Sequence, residues 1–318
     1  MISPSQIHVF SPLVFRNLAV SPLVVSDPRA ADYSTLDEAL TTGRVRITEV
    51  GEAGSVPELK LLNDTDRPIL LLDGEELTGA KQNRICNLTI LAPPRAETLI
   101  PVSCVEAGRW SWRSRAFSTS GNVHFAGSRA RKARDVSDSL YRHSAPHAKQ
   151  DLVWSDISGK LDRLATRSGT AAVFDAFVQR SDELDGFVDA LRLPPQAVGA
   201  VFSLNGRPLG LEFFENPALC AKLGPKLIRS WALDAIDYGA EPGAPAEPTQ
   251  RQVADFLAVV SAAPSKRFKV VGLGEMARFI DGQITGGALV FDGRLIHVMA
   301  FSAECAKPDQ AEQSKRKG

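Results

Sequence analysis

Residues 70–110 read LLLDGEELTGAKQNRICNLTILAPPRAETLIPVSCVEAGRW and contain three apolar runs separated by polar turns. Each run is short and bounded by turn-forming pairs such as Asp73-Gly74 and Pro93-Pro94, which is typical of antiparallel strands. Acidic, amide and basic side chains follow the ends of these runs. If the strands are neighbours in one sheet, we expect their ends to bring these polar groups to a common cleft.

The rest of the chain alternates between strand and helix patterns. Residues 1–110 are rich in strand patterns, and residues 152–192 carry apolar side chains at three- and four-residue spacing. Residues 197–305 return to strands and further helices, with a strong hairpin signal at Asn205-Gly206. We predict an α+β fold in which an N-terminal and a C-terminal sheet, both mainly antiparallel, pack together and are covered by several helices.

Residues 1–305 are predicted to form a single compact domain, and residues 306–318 a flexible tail. Within the domain, the strand-rich part and the helices are separated by a basic flap, residues 111–150. After the hairpin, Asn216-Pro217 is expected to open a helix, because proline favours the first helical turn.

The flap differs from the rest of the chain in composition. Between Gly108 and Arg134 there are seven basic side chains and no acidic one, with tryptophan and phenylalanine interleaved. Two interpretations of the flap are open. It is a mobile, solvated loop, a segment that grips an anion over a site, or both.

The polar residues near the strand ends form the candidate site. Two carboxyl groups with separated pKa values can act as general acid and base, and arginine binds phosphate with parallel hydrogen bonds. Amides can bind sugar hydroxyls or a polar ring, and tryptophan can stack on a base. The candidates for acid/base catalysis are Glu75, Glu76 and Glu106. The candidates for substrate binding are Gln82, Asn83, Arg84, Asn87, Arg109, Trp110 and Arg113, with Trp112 and Arg115 beside them.

A purely structural interpretation of these residues is also open. Glu106 would pair with Arg109, and Asn83 would cap a turn. Each residue taken singly favours this interpretation. However, burying so many polar groups between apolar strands is costly unless each is paired, so their density indicates a site.

Three further candidates are Cys104, Glu212 and His297. Cys104 and His297 would act as nucleophile and base if they were close together. An inert buried cysteine and a satisfied core histidine are the simpler interpretations. Glu212 is flanked by Phe213 and Phe214, which would raise its pKa if it is buried, although strand alternation could equally direct it to solvent.

Composition restricts the class of protein. The 318 residues include 37 basic and 37 acidic side chains, so no net charge favours nucleic acid or a membrane surface. The four cysteines are dispersed without a CxxC pair, as is typical of a reducing compartment. No apolar run approaches the roughly 18 residues of a membrane span. We therefore expect a cytoplasmic protein with no membrane partner.

No metal or cofactor site is predicted. His143 and His147 have the spacing of zinc ligands on a helix, but Pro146 between them opposes a helix there. The sequence GLGEMA from Gly272 superficially matches a dinucleotide fingerprint. A turn follows too soon for the crossover helix that such a site requires.

The blocks DGEELTGAKQNR, residues 73–84, and PVSCVEAGRW, residues 101–110, resemble the signature of a bacterial family of poorly defined function. This is the ADP-ribosylglycohydrolase- and rhodanese-phosphatase-associated protein family. The resemblance continues through GAVFSLNGRPLGLEFFENP, LIRSWALDA and GALVFDGRLIHVMAF, and so covers most of the chain. It implies a role in NAD or ADP-ribose metabolism, with a nucleotide or nucleotide-sugar as the small-molecule partner.

Three functional hypotheses follow, of which the plainest is a structural subunit whose sheet edges serve assembly. In the first, the protein binds or converts an ADP-ribose- or NAD-related nucleotide-sugar, as a hydrolase, a transferase or a binding protein. The carboxylates would be acid and base, and the arginines would hold phosphate. In the second, a non-catalytic module uses the basic aromatic flap to dock a protein or a single-stranded nucleic acid, of which nucleic acid is the less favoured partner.

Overall fold

The computed structural model describes residues 7–52, 54–269, 271–279 and 281–307. Its helices are α1 (Leu36–Thr41), α2 (Ala126–His143), α3 (Gln150–Arg163), α4 (Val173–Gln179), α5 (Ser181–Ala190), α6 (Pro217–Tyr238) and α7 (Gln250–Ala262). The strands of the first half are β1 (Ile7–Val9), β2 (Leu13–Phe15), β3 (Leu18–Val25), β4 (Ser34–Thr35), β5 (Val45–Glu49), β6 (Glu58–Asn63), β7 (Ile69–Leu71), β8 (Glu75–Gly79), β9 (Arg84–Cys86), β10 (Ile90–Ala92), β11 (Ala96–Cys104) and β12 (Phe117–Val123). Those of the second half are β13 (Gly199–Leu204), β14 (Arg207–Phe214), β15 (Ser265–Lys269), β16 (Glu275–Phe279), β17 (Ile284–Phe291) and β18 (Arg294–Ser302).

These elements confirm the predicted α+β class, with sheets that are mainly antiparallel. Across the described residues, no helix has both the length and the apolar character needed to span a membrane.

A nine-stranded antiparallel sheet, the large sheet, forms one half of the fold. Its strands follow the order β1, β3, β13, β14, β18, β17, β16 and β15, and β2 also pairs with β3. Leu23 of β3 lies opposite Gly199 of β13, so the first strands of the chain complete a sheet whose other strands come from the second half. The prediction of a separate N-terminal sheet is wrong for these strands. Alternation of apolar residues shows which face is buried but not which strand is the neighbour.

Six strands form a closed sheet in the order β11, β6, β5, β12, β8 and β9. Alternate side chains point inwards, and the apolar interior includes Ile47, Leu59 and Leu77, all fully buried. Glu49 lies two residues after Ile47 on β5 and therefore on the same face, and Arg84 lies opposite Leu77. Both charged side chains therefore share the face of the apolar interior, which makes them unusual members of it.

A small sheet of β10, β7 and β4 adjoins the closed sheet, and β4 runs parallel to β7. β7 leads into β8 through the predicted turn at Asp73-Gly74, which is confirmed. Gly74 has a φ of +81°, and a Cβ added there would lie only 2.8 Å from Arg129 Nε. Glycine is therefore required both by the backbone conformation and by the close approach of α2.

Helices α2 and α6 pack on the large sheet and also reach the closed sheet. Helix α6 begins as predicted, with Asn216 as its cap and Pro217 in its first turn. Its Trp231 is fully buried and stacks on Phe202 of β13, with ring centroids 5.3 Å apart. Helix α7 covers the other face of the large sheet, where Leu257 belongs to a second apolar cluster.

Helix α2 occupies much of the predicted basic flap. The interpretation of this segment as a mobile loop is wrong for Ala126–His143, because the cations of α2 find buried partners on other elements. Arg129 and Lys132 are fully buried. At the start of the helix, the Gly127 N–H donates to Asp234 Oδ2 of α6 at 2.7 Å, which satisfies one of the free N–H groups of the first turn.

Candidate functional site

Arg109 lies at the centre of a cluster of hydrogen-bonded polar side chains at the end of the closed sheet. Its Nε and Nη2 donate to the two carboxylate oxygens of Glu106 at 2.9 and 2.6 Å, a two-point ion pair. Its remaining N–H groups donate to the carbonyl oxygens of Gly79, Ala80 and Ser111 and to Asn83 Oδ1. All donors of this guanidinium are engaged within the protein, so Arg109 fastens the segment 108–115 to the closed sheet.

Glu106 is surrounded by hydrogen-bond donors. The Asn83 N–H donates to it at 3.0 Å and the Thr170 hydroxyl at 2.8 Å. The side-chain N–H of Gln82 donates to the Glu106 carbonyl. Burial raises the pKa of this carboxyl group, but Arg109 and the other donors outweigh burial and hold the pKa below its ordinary value of 4.5. This pairing corresponds to the structural interpretation of the sequence.

Glu76, on β8, is the opposite case. It is buried, and neither carboxyl oxygen meets a donor with hydrogen-bond geometry among the described residues. Burial raises the pKa of Glu76 to about 7; the nearby Ser120 hydroxyl offsets part of this, and the charges of Glu106 and Asp175 add to it. Glu76 and Glu106 are thus two neighbouring carboxyl groups whose pKa values are displaced in opposite directions.

Arg84 is fully buried in the end of the closed sheet. Its Nη1 donates to Gln82 Oε1 at 2.8 Å and to the Gln82 carbonyl at 3.3 Å. Its Nε and Nη2 have no hydrogen-bond partner in the described chain, and Glu49 Oε1 lies 4.0 Å from Nη2. Burial lowers the pKa of Arg84 from 12.5. The Cζ atom lies over the ring of Trp110, 5.4 Å from its centroid.

Two exposed tryptophans and three cations form a surface next to Arg84. Trp110 is 48% exposed and Trp112 is 41% exposed. Lys81 Nζ lies over both indole rings, 5.5 and 5.1 Å from their centroids, and Arg115 lies over Trp112 at 5.1 Å. The surface, which we call the tryptophan face, consists of Lys81, Trp110, Trp112, Arg113 and Arg115.

Glu75 and Asn87 do not join this cluster. Glu75 Oε1 accepts from Lys226 Nζ at 2.8 Å, and its Oε2 accepts from the Leu72 N–H at 3.0 Å. Asn87 Oδ1 accepts from the Ser103 hydroxyl at 2.8 Å. The acidic turn that follows β7 is therefore divided between two environments, because successive residues of a strand point to opposite faces.

A buried charge network connects the closed sheet to the large sheet through α2. Lys132 Nζ donates to Asp73 Oδ1 at 2.9 Å. Arg129 Nη1 donates to Glu212 Oε1 at 2.7 Å, and His297 Nε2 lies 2.8 Å from Glu212 Oε2. Burial raises the pKa of Glu212, but Arg129 and His297 bring it below its ordinary value. The two cations balance the two carboxylates, as a buried network requires.

His297 is held through both ring nitrogens. Thr89 Oγ1 accepts from the Asp73 N–H at 3.2 Å and lies 2.9 Å from His297 Nδ1, whereas His297 Nε2 faces Glu212. Cys104 lies elsewhere, opposite Arg84 in the closed sheet, and burial raises the pKa of its thiol. The structure therefore does not bring Cys104 and His297 together as nucleophile and base.

The prediction that Arg129 and Lys132 belong to a basic flap that docks a partner is wrong, because both are fully buried, and the sequence did not single out the buried Lys226. Arg129 and Lys132 are three residues apart on α2, a spacing that places them on one face of a helix, and this signal was available. Lys226 has no local signal, because its partner Glu75 is distant in the chain. Among the described residues, no group of three or more His, Cys, Asp or Glu side chains is arranged to hold a metal ion.

Comparison with known proteins gives one match. Residues 6–301 match the model of the ARPP-1 domain, described as the ARG and Rhodanese-Phosphatase-superfamily-associated Protein domain. No curated protein and no solved structure matches the chain. The match spans nearly the whole sequence and confirms the resemblance carried by the two signature blocks. The chain therefore belongs to the ARPP-1 family.

Proposed function

We propose that this protein binds an anionic nucleotide or nucleotide-sugar, of the ADP-ribose or NAD type, at the tryptophan face. One observation carries the proposal. Lys81 lies over the rings of both Trp110 and Trp112, and both indoles are exposed although each offers a large apolar surface. Exposed aromatic side chains among cations are typical of surfaces that bind a partner.

The chemistry of the face suits a base joined to phosphate groups. Every base has a flat π-surface that stacks on indole, and such stacking contributes about 1–3 kcal/mol per base. Arg113 and Arg115 are exposed and form no ion pair within the described chain. Their guanidinium groups are therefore available to phosphate oxygens, for which arginine has matching geometry.

Membership of the ARPP-1 family supports the choice of ligand. The description of the family names an association with ARG proteins. We interpret ARG as ADP-ribosylglycohydrolase, as in the family name given by the sequence resemblance. A protein that accompanies such enzymes would meet ADP-ribose and its derivatives. This association motivates the ligand class, and the geometry of the tryptophan face motivates the site.

An enzyme is the second candidate, and Glu76 is the observation that favours it. A carboxyl group with a pKa of about 7 next to the ionised Glu106 is the arrangement expected of a general acid and its partner. Glu106 would orient the substrate or Glu76, since its own oxygens are occupied by donors. In this candidate the protein is a hydrolase or transferase of ADP-ribose compounds.

Calorimetric titration with ADP-ribose, NAD and AMP tests the binding proposal. We expect the Arg113→Ala/Arg115→Ala double variant to bind at least tenfold more weakly, because a hydrogen bond to a charged group contributes about 1.5–3 kcal/mol. Arg251→Ala, which removes a 90% exposed side chain on α7, is the matched control and should bind like the wild type. Equal affinity of the double variant and the wild type would rule out this face.

Two further measurements separate the alternatives. If a single-stranded oligonucleotide binds with steep salt dependence and ADP-ribose does not, the protein is a docking module for nucleic acid. If wild-type protein cleaves or transfers ADP-ribose and Glu76→Gln binds it without turnover, the enzyme candidate is supported. Absence of turnover in the wild type with ADP-ribosylated peptides and NAD discards that candidate.

A further inference from the structure

We infer that Arg84 forms a buried subsite for a phosphate group beneath Trp110. The inference rests on the proposed function and identifies the phosphate group as the part of the ligand that would be buried in the protein. The phosphate would enter the end of the closed sheet when the indole of Trp110 turns aside. The base and the remaining groups would stay on the tryptophan face.

The free donors of Arg84 have the geometry that a phosphate requires. Nε–H and Nη2–H of an arginine point in parallel from one edge of the guanidinium and match two oxygens of an oxyanion. In Arg84 these two nitrogens are the ones without a hydrogen-bond partner in the described chain, whereas Nη1 donates to Gln82 Oε1. A fully buried cation with an unused two-point edge is costly unless an acceptor meets it.

Glu49 is close to this edge but does not fill it. Its Oε1 lies 4.0 Å from Arg84 Nη2, beyond hydrogen-bond distance, and accepts from the Lys81 N–H at 3.3 Å. Its Oε2 has no partner among the described residues. In the competing arrangement, the Glu49 carboxylate moves closer and forms a direct hydrogen-bonded ion pair with Arg84. No anion would then bind at this edge.

Trp110 is placed as a movable cover over Arg84. The backbone on both sides of it is fixed, because the Gly108 N–H donates to Thr170 O at 2.8 Å and the Ser111 N–H donates to Lys81 O at 3.2 Å. The indole itself is 48% exposed. Rotation about the side-chain bonds can therefore uncover Arg84 while the segment 108–115 stays in place.

Titration with inorganic pyrophosphate and with ADP-ribose tests the subsite. We expect Arg84→Lys, which keeps the charge but loses the two-point edge, to bind both about ten- to a hundredfold more weakly. Arg251→Lys is the control and should match the wild type. No binding of pyrophosphate by the wild type, or equal binding by Arg84→Lys, would overturn the subsite.

The two proposals fail in different ways. If wild type and Arg84→Lys bind ADP-ribose equally, the subsite is overturned and the proposed function stands. If the wild type binds pyrophosphate through Arg84 but not ADP-ribose, the proposed function is overturned and the subsite stands.

A second measurement uses only wild-type protein, in case Arg84→Lys does not fold. Cys104 lies opposite Arg84 on β11 and is buried, so an alkylating reagent reaches it only when the end of the sheet opens. We expect pyrophosphate to slow alkylation of Cys104, measured by peptide mass spectrometry, at least threefold. Cys86, fully buried on the same strand as Arg84, should be unaffected. An unchanged rate at Cys104 would overturn the subsite.

Discussion

Replacement of Glu76 by glutamine should stabilise the protein at neutral and alkaline pH. Glutamine keeps the shape of the side chain and cannot ionise. In the wild type, burial outweighs the nearby Ser120 hydroxyl and, with the charges of Glu106 and Asp175, raises the pKa of Glu76 from 4.5 to about 7, so the folded protein holds this proton more tightly than the unfolded chain. Well below pH 4.5, Glu76 is protonated in both the folded and the unfolded state, so no charge has to be buried. Well above pH 7 it is ionised in both states, and the folded state carries the full cost of the buried charge.

The size of the effect follows from these two pKa values. They differ by about 2.5, and each unit corresponds to about 1.4 kcal/mol, so the wild type loses about 3 kcal/mol of stability as pH rises from 4.5 to above 7. The folded state binds more protons than the unfolded state in this range, and linkage then requires stability to fall with rising pH. Glu76→Gln removes this dependence.

Urea denaturation at pH 5, 6, 7 and 8, followed by fluorescence and circular dichroism, measures the difference. The free energy of unfolding of Glu76→Gln relative to the wild type should rise by about 2.5 kcal/mol between pH 5 and pH 8, since part of the change lies below pH 5. Glu97→Gln is the control, since its side chain is 61% exposed, and its difference from the wild type should stay flat. A pH-independent difference for Glu76→Gln, or one that falls as pH rises, would refute the account of Glu76 as a buried, unpartnered acid.

Two further substitutions test the buried ion pairs. Arg109→Gln should lower the free energy of unfolding by about 3–5 kcal/mol, because it leaves Glu106 buried without its cation. Urea denaturation at pH 7 measures this loss, and a loss under about 1 kcal/mol would show that Arg109 does not fasten the segment 108–115. Lys226→Met should also destabilise the protein, by about 3 kcal/mol, because Glu75 loses its partner. Urea denaturation at pH 7 also measures this loss, and a loss under about 1 kcal/mol would contradict the loss of this ion pair as its cause.

Local features of the fold could be predicted from the sequence. The Asn205-Gly206 hairpin is confirmed between β13 and β14, with φ values of 49° and 71° at the two turn residues. The helix that begins at Pro217 is also confirmed. These elements are specified by residues next to one another, such as the left-handed conformation that asparagine and glycine tolerate.

Pairings between distant segments could not be predicted. The order of strands in the large sheet depends on which segments pair. No residue in β3 indicates that β13 is its partner. Helix α2 was missed for the same reason. Its cations look solvated in the sequence because their carboxylate partners, Asp73 and Glu212, come from other elements.

The candidate site was predicted in part. Glu106 and Arg109 are three residues apart, and their pairing is present as the structural alternative expected. The sequence does not show that both carboxyl groups are buried, nor that Arg109 and the other donors lower the pKa of Glu106 while burial raises that of Glu76. The sequence placed Arg84 among the candidates for binding, but it gives no sign that two nitrogens of this buried guanidinium lack a hydrogen-bond partner in the described chain.

The position of β3 has a consequence for biosynthesis. The chain leaves the large sheet after Val25 and returns to it only at Gly199, and β18 must still enter between β14 and β17. A nascent chain therefore carries an apolar strand with an unpaired edge while most of the polypeptide is being made, and such edges invite association with other chains. We propose that residues 1–305 fold as one domain, whose large sheet can be completed only after β18 has been synthesised.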